Sequence, residues 1–468
     1  MSNAEQELLF FHAIEEQNIQ LVEKMLANGV QVNILNVEGT ALYRAVKLNN
    51  YELVKLLIEK GADLNIVHIS NKGSGNDNPS PSCSLSTPID WLRDQDEDTY
   101  DNVHKYLLEN RPMVNGDTIN QRIHYCTQLF NDRNHEMLFD YAATYLLREN
   151  MYTYIQRSEG AGLALAAATL NIEARFNGVP VESSGFHQAY FMLLIRSLFE
   201  ELVHFKLGQS HHIESYQQYM HVFYELLHNI EAYNLLKDID SIPYRRRESF
   251  YPAIAKNLIQ KLKNMKNHGE YTLPIYWTGH ALCVNFIRAA NGVIIRIDNL
   301  YSGEKDEHVH HRNDENVLVI IPKIIGKIPL KNLDDNEDYF ISLLTWMRKS
   351  GSRKDGIAKL YHNRKLRYLD TRQNLEMTNQ LNEKAKDFKY FIEQAQNNCF
   401  IKCHEPGFMI RSDDYITSAK ILTILRAYTA TLTTKVITQK QDDLTRNLVD
   451  FWNEEMNISA IKGMFTFL

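Results

Sequence analysis

A histidine and a cysteine in the second half of the chain are residue types that can attack a carbonyl group together. His280 follows Gly279 at the start of an apolar segment, and Cys399 follows Asn397-Asn398, five residues after Gln394. A thiolate is a strong nucleophile, and an adjacent imidazole lowers the pKa of the thiol and later protonates the leaving group. We therefore predict Cys399 as the nucleophile and His280 as the general base. The side-chain amide of Gln394 is the predicted donor to the oxyanion that forms.

The imidazole of His280 needs a third group to hold its tautomer, and two neighbouring residues compete for that role. Alternating apolar segments flank Asn291-Gly292, the strongest hairpin signal in the chain, and the second segment ends in Asp298 and Asn299. Because side chains alternate between the two faces of a sheet, the loop length decides which of the two shares a face with His280. A loop of even length selects Asn299, which we favour, and an odd loop selects Asp298.

Other cysteines and a histidine-rich segment could compete for a chemical role. Cys403 lies one helical turn beyond Cys399 and is the rival nucleophile, whereas Cys283 falls on the strand face opposite His280 and is predicted to be core. No second cluster of ligands supports a metal at the histidine-rich segment, so we predict a solvated polar loop there, and neither a metal nor a cofactor. That segment reads Asp306-Glu307-His308-Val309-His310-His311.

Changes in hydrophobic periodicity predict the elements that must position these residues. Alternation over 273–297 and the apolar run at 317–321 predict strands, and helical spacing recurs in five other segments. Those helical segments are 162–168, 189–205, 339–347, 384–396 and 416–447. The second half of the chain is therefore predicted to be α+β and rich in helix.

An internal repeat occupies the N-terminal part of the chain. A shift of 32 residues places Gly29 on Gly61 and Asn33 on Asn65. Thr40 can cap a short helix in the second copy, and Gly61 supplies a left-handed turn after the following helix. The segment T-A-L-Y-x-A at 40–45 resembles the T-P-L-H-x-A of the ankyrin repeat, which implies stacked helix pairs and a surface for a protein partner.

A third copy begins near Thr87-Pro88, after an insertion at 68–85 that is rich in Gly, Ser, Asn and Pro. In an ankyrin stack this insertion has the position of the finger, which projects from the concave side. We predict three repeats over 1–115, because about three copies are needed to bury their apolar faces. We expect the finger and the concave helices to bind the partner through Tyr43, Arg44, Lys72, Asn76, Asn78 and Trp91.

Composition limits the class of protein. Lys plus Arg number 51 and Asp plus Glu number 58, a net charge of -7, which argues against general nucleic-acid binding. Gly and Pro are scarce, at 20 and 11 of 468 residues, which favours a globular, helix-rich protein. Five cysteines without framework spacing indicate a reducing compartment. No segment is predicted to span a membrane or to act as a secretory signal, so we expect neither membrane nor nucleic acid as a partner.

The order of the site residues, from Gly-His-Ala through Asp298-Asn299 to the later Gln and Asn-Cys, resembles a permuted papain-like cysteine hydrolase. Such domains occur in ankyrin-bearing effector proteins of Legionella and related intracellular bacteria. The resemblance covers about 270–415 and implies His280 as base, Asn299 as its orienting residue and Cys399 as nucleophile. Gln394 takes the oxyanion position. The sequence departs from the family before the Asn-Cys pair, where Gly is common, and after it, where Trp is usual.

This resemblance implies a bacterial effector that acts in the host cytosol or nucleus. Its ankyrin repeats would bind a host protein, and its papain-like domain would hydrolyse or exchange an acyl bond. The alternative is a non-catalytic ankyrin scaffold with a degenerate hydrolase domain. The acidic pair Glu454-Glu455 and the apolar end at 464–468 are compatible with a type IV translocation signal or with the end of a docking helix.

The predicted fold class is helix-rich α+β, with an ankyrin-repeat stack, a helical region and a papain-like domain in that order. The stack covers 1–115, and a degenerate fourth repeat or cap covers 116–150. The helical region covers 151–268. The papain-like domain with a helical C-terminus covers 269–468.

Overall fold

A computed structural model of the chain describes most of the N-terminal segment and much of the second half. The described residues are 3–36, 38–66, 68–71, 83–93, 95, 98–113, 215–277, 280–300, 309–312, 318–347, 360–387 and 403–411, with short pieces between 175 and 208. The chain divides into two compact units. The first comprises Met1–Arg133, Tyr145–Glu149 and Asn234–Lys261, and the second comprises Asn134–Thr144, Asn150–Tyr233 and Leu262–Leu468.

Three pairs of short helices follow one another in the first unit. The pairs are α1 (Asn3–Glu15) with α2 (Ile19–Ala27), α3 (Ala41–Lys47) with α4 (Tyr51–Glu59), and α5 (Pro88–Arg93) with α6 (Asp101–Glu109). Two short antiparallel hairpins lie between the pairs, β1 (Leu35–Asn36) with β2 (Gly39–Thr40) and β3 (His68–Asn71) with β4 (Cys83–Ser86). This alternation of helix pairs and hairpins has the periodicity that the internal repeat predicts.

Local signals in the sequence account for the ends of these helices. Thr40 caps α3, since its Oγ1 accepts a hydrogen bond from the backbone N–H of Tyr43 at 3.1 Å, as predicted. Gly29 and Gly61 have φ of 92° and 88° after α2 and α4, in the left-handed region that glycine adopts without strain. Asn33 joins successive repeats, because its side chain donates to the carbonyl of Gly61.

The insertion before the third helix pair begins and ends as a β-hairpin. Strands β3 and β4 pair in register from His68 opposite Ser86 to Asn71 opposite Cys83, so residues 72–82 connect two paired ends. The predicted contact residues Lys72, Asn76 and Asn78 lie outside the described residues.

Residues 234–261 complete the first unit and come from two long helices, α7 (Tyr216–Ser241) and α8 (Arg247–Asn264). His104 of α6 is buried and lies 3.3 Å from the Ser241 hydroxyl, and its ring meets that of Phe250 edge-on. Burial and then the charge of Arg246 lower the pKa of His104 to about 3, so this imidazole is neutral at pH 7.

An antiparallel sheet of four strands is the centre of the second unit. Its strands, in spatial order, are β12 (Lys323–Pro329), β9 (Gly292–Asp298), β8 (His280–Ala289) and β7 (Glu270–Trp277). The other described elements are β5 (Arg175–Phe176) with β6 (Val179–Pro180), β10 (Val309–Arg312) with β11 (Leu318–Ile321), and the helices α9 (Glu337–Met347), α10 (Asn374–Asp387) and α11 (Glu405–Arg411). Pro274 lies in β7, at the edge of the sheet, where a missing N–H donor is tolerated.

The register of the central hairpin decides which side chains share a face. Ala289 pairs with Gly292, so the loop consists of the two residues Ala290 and Asn291. Even-numbered residues of β8 therefore share a face with odd-numbered residues of β9. That face is mostly apolar, and it packs on α9, where the rings of Phe286 and Phe340 lie 5.4 Å apart.

The histidine-rich segment differs from the predicted polar loop over part of its length. Residues Val309–Arg312 form β10, in which His310 pairs with Ile320 and His311 with Val319 of the apolar strand β11. Backbone pairing with a neighbouring strand overrides the polar composition here. Residues 306–308 are outside the described part of the chain.

The architecture is rich in helix, with several small sheets and one larger sheet, which agrees with the predicted α+β class. Among the helices that the structure describes, none is long and apolar enough to cross a membrane.

Candidate functional site

His280 and Asn299 meet on the apolar face of the central sheet. His280 begins β8 and Asn299 directly follows β9, and the two-residue loop places both on the same face. His280 Nε2 lies 3.1 Å from Asn299 Oδ1, and both side chains are buried, at 4% and 0% exposure. This is the neighbour that a loop of even length selects.

Hydrogen bonds orient the amide of Asn299. Its Nδ2 donates to the hydroxyl of Tyr361 at 3.3 Å, so Oδ1 is the atom that faces the imidazole. An amide oxygen only accepts hydrogen bonds, and we therefore assign the proton of the neutral ring to Nε2 of His280. Nδ1 then carries the lone pair, and it is the nitrogen that can take a proton from a thiol.

The other two predicted catalytic residues cannot be placed beside this pair. Cys399 and Gln394 lie outside the described residues, so the expected approach of Cys399 to within about 4 Å of His280 remains a prediction. Asp298, the alternative orienting residue, belongs to the opposite face. It accepts from Arg296 Nε and from Asn285 Nδ2, each at 2.7 Å, and these contacts hold it away from His280.

A chain of buried ions covers that opposite face. Arg296 lies between Asp298 and Glu270, and Arg411 of α11 joins Glu270 to Glu225 of α7. Burial raises the pKa of Glu270, but the two guanidinium groups lower it further, to about 2. Burial raises the pKa of Asp298, and here Arg296 only partly offsets the effect.

A second group of reactive side chains lies on the same polar face. Cys283 of β8 approaches His404, with 3.5 Å between Sγ and Nδ1, and it hydrogen-bonds to Cys403. Both thiols are buried and not in a disulfide. Burial raises the pKa of Cys283, but the hydrogen bond with Cys403 and the adjacent His404 outweigh it and lower the pKa to about 6.

Cys283 is buried on the strand face opposite His280, as predicted, but its neighbours are polar rather than a simple apolar core. Because Cys403 contacts Cys283, it also lies on the face away from His280 and does not fit the role of rival nucleophile for that base. The sequence analysis missed this group, since its members come from segments far apart in the chain. The adjacent pair Cys403-His404 was the available signal.

The residues expected to bind a partner through the repeats have different environments. Tyr43 and Arg44 are each only 7% exposed. Arg44 pairs with Glu15 and Glu38, and the Tyr43 hydroxyl accepts a hydrogen bond from Ser86. Their expected part in a contact surface is therefore corrected, because α3 turns both side chains into the packed repeats.

Trp91 differs from these two residues, because it is half-buried and contacts Tyr100 edge-on. Of the three predicted contact residues that the structure describes, Trp91 alone keeps substantial exposed surface.

Comparison with known proteins identifies the N-terminal part of the chain. Residues 2–68 match the family model described as "Ankyrin repeats (3 copies)". A search of curated proteins found no match. A solved structure titled "Structure of Legionella Effector AnkH" aligns with 95% of this chain and 85% of its own chain, at 14% identity and a TM-score of 0.22. A TM-score of that size does not show a common fold.

Proposed function

We propose that this chain binds a protein partner through its ankyrin repeats and carries a cysteine-protease-like site that hydrolyses or transfers an acyl group. Cys399 is the nucleophile, His280 the general base, Asn299 the orienting residue and Gln394 the oxyanion donor. Hydrolysis of a peptide or isopeptide bond is the default reaction. The buried hydrogen bond between His280 and Asn299 is the observation that supports this proposal most strongly.

The reaction needs each of these groups in a defined order. Nδ1 of His280 takes the thiol proton, and the Cys399 thiolate attacks the carbonyl carbon to form a tetrahedral oxyanion. The imidazolium then protonates the leaving amine as the carbon–nitrogen bond breaks. Water or another nucleophile next attacks the acyl-enzyme and regenerates the thiol. Asn299 accepts from Nε2 throughout, which keeps the ring in one orientation.

Labelling by an electrophilic acyl-amide probe tests the catalytic part. We expect the wild type to be labelled at Cys399 and the Cys399→Ala variant not to be labelled. The His280→Ala variant should be labelled at least about 100-fold more slowly, because the thiol loses its base. A folded wild type that reacts no faster than Cys399 in the His280→Ala variant would support the scaffold alternative.

Ankyrin repeats generally mediate contacts between proteins, and the stack at the N-terminus supplies such a surface. The proposed surface consists of the finger at 68–85 and the concave side near Trp91. Cross-linking from a photoreactive residue at position 91, followed by mass spectrometry, would identify the partner. The same residue placed at buried Tyr43 is the matched control and should capture nothing.

The site order in the sequence also supports a bacterial effector that a type IV system delivers into a host cell. A reporter enzyme that works only in host cytosol, fused to the N-terminus, tests delivery. Signal from a strain with an intact secretion apparatus but not from a strain with a disabled one supports it. Equal signals from both strains would contradict it.

A further inference from the structure

Three side chains with metal-binding atoms converge on the polar face of the central sheet. Cys283 projects from β8, while Cys403 and His404 directly precede α11. One donor atom from each lies within 4.8 Å of the others. Both cysteines are 1% exposed, and His404 is half-buried. It is a compact set of two sulfur atoms and one nitrogen, contributed by two distant segments of the chain.

We propose that Cys283, Cys403 and His404 bind a Zn²⁺ ion that fastens the start of α11 to the central sheet. Thiolate and imidazole are the ligands that zinc prefers, and two cysteines with one histidine are an established zinc-binding combination. Binding breaks the two S–H bonds, forms two Zn–S bonds and one Zn–N bond, and releases two protons to solvent. This site is separate from the proposed catalytic pair.

The spacing of the donor atoms fits a tetrahedral ion. With Zn–S of about 2.3 Å and Zn–N of about 2.0–2.1 Å, tetrahedral geometry separates sulfur from nitrogen by about 3.5 Å. The distance between Cys283 Sγ and His404 Nδ1 is 3.5 Å. A small shift of Cys403 is all that the remaining ligand requires, because its sulfur already hydrogen-bonds to Cys283.

The surroundings offer room for a fourth ligand. A cavity of about 30 Å³ is lined by Cys403, His404 and Glu405, and Asp298 lies at its opposite side. A cavity of this size can hold a water molecule, which completes the coordination of zinc at sites with three protein ligands.

Charge balance also favours the ion. Two thiolates neutralise Zn²⁺, and the histidine binds as a neutral ligand. The complex therefore adds no net charge beside the buried pair of Arg296 and Asp298, where an uncompensated charge would be costly.

Zinc titration of the full-length protein tests the proposal. The chain is purified in reducing buffer, stripped with a chelator and titrated with Zn²⁺ against a chromophoric competitor. We expect one equivalent to bind, and Co²⁺ in its place to show thiolate charge-transfer and tetrahedral absorption bands. Cys283→Ser and Cys403→Ser should each weaken zinc binding by at least about 100-fold.

Two cysteine variants serve as matched controls. Cys83→Ser removes a cysteine of the first unit, and Cys399→Ser removes the proposed nucleophile, and both should bind zinc as the wild type does. A Cys399→Ser protein that keeps zinc but loses labelling would separate the two sites.

Three results would overturn the proposal. They are no zinc binding by the wild type, equal loss in the controls, and a Cys283–Cys403 disulfide in protein from reducing buffer. If the serine variants fail to fold, His404→Gln replaces them, because it changes a half-buried ring and leaves both thiols in place. It should lower zinc affinity with an unchanged circular dichroism spectrum, and unchanged affinity would also overturn the proposal.

Discussion

At the scale of single residues, the central hairpin gives two adjacent residues opposite tasks. Asn299 accepts a hydrogen bond from His280 on the apolar face, whereas Asp298 is paired with Arg296 on the polar face. Their side chains differ little in size, so the face to which each residue belongs separates a group that can orient a base from one that stabilises the fold.

Replacing Asn299 by Ala should slow the labelling of Cys399 by at least about tenfold and shift its pH profile, because the His280 ring loses its fixed tautomer. The protein should remain folded at a cost of about 1–3 kcal/mol, since buried polar atoms of His280 and Tyr361 lose a partner. The measurements are labelling rates across pH and urea unfolding. Asn291→Ala, in the exposed loop of the same hairpin, is the matched control and should react as the wild type does.

If Asn299→Ala reacts at the wild-type rate while Cys399→Ala is inert, the site is a dyad without an orienting residue. If Asp298→Ala, in a folded protein, slows labelling and Asn299→Ala does not, the choice of orienting residue is wrong.

Replacing Arg296 by Met should lower the free energy of unfolding by about 3–5 kcal/mol, because it leaves the buried carboxylates of Glu270 and Asp298 without a shared partner. Urea denaturation followed by tryptophan fluorescence measures the change. Arg372→Met is the matched control. It removes an arginine whose ion pair with Asp370 is exposed, and its unfolding midpoint should not move. Equal midpoints for both variants would contradict a stabilising role of the buried ions.

At the scale of elements, the finger is a β-hairpin whose tip can be exchanged without changing the repeats. The strands β3 and β4 end at the paired residues Asn71 and Cys83, which an Asn-Gly turn can join. The segment between them therefore has no necessary part in the packing of the helix pairs.

Replacing residues 72–82 by Asn-Gly should leave the thermal midpoint nearly unchanged and weaken binding of the protein that cross-links to position 91. Differential scanning fluorimetry and a binding titration with that protein measure the two effects. Equal affinity would move the binding surface to the concave helices around Trp91. A large drop in the thermal midpoint would show that the finger stabilises the stack.

At the scale of the whole molecule, a buried neutral histidine makes the stability depend on pH. The pKa of His104 is about 3 in the folded protein, against an ordinary value of 6.5. Above pH 6.5 the imidazole is neutral in both states, so its contribution to stability is fully present. As the pH falls from 6.5 toward 3, only the unfolded chain takes up the proton, and this contribution is lost.

Lowering the pH from 7 to 5 should therefore reduce the free energy of unfolding of the first unit by about 2 kcal/mol through His104. The His104→Gln variant, with no titrating ring, should lack this part of the loss. Hydrogen exchange of α6 amides at the two pH values measures it. His12→Gln changes an exposed histidine and should retain the wild-type dependence. The same loss in His104→Gln and wild type would contradict the assignment.

The sequence by itself determined the local structure of the repeats and of the central hairpin. The caps and left-handed turns depend on neighbouring residues, so Thr40 and Gly61 could be interpreted from their types and spacing. Alternation of apolar side chains likewise predicted β8, β9 and β11, and it limited the partner of His280 to two residues. Which of the two it meets depended on one loop length.

Only the tertiary structure decided which distant side chains share a face or an interior. Arg44 fitted an exposed contact surface in the sequence, yet packing of the helix pairs buries it beside Glu15 and Glu38. Cys283 and His404 meet because a helix lies across the polar face of the sheet. Local propensity encodes caps and alternation, but contacts between segments far apart in the chain depend on how the elements pack, and residue spacing does not record that.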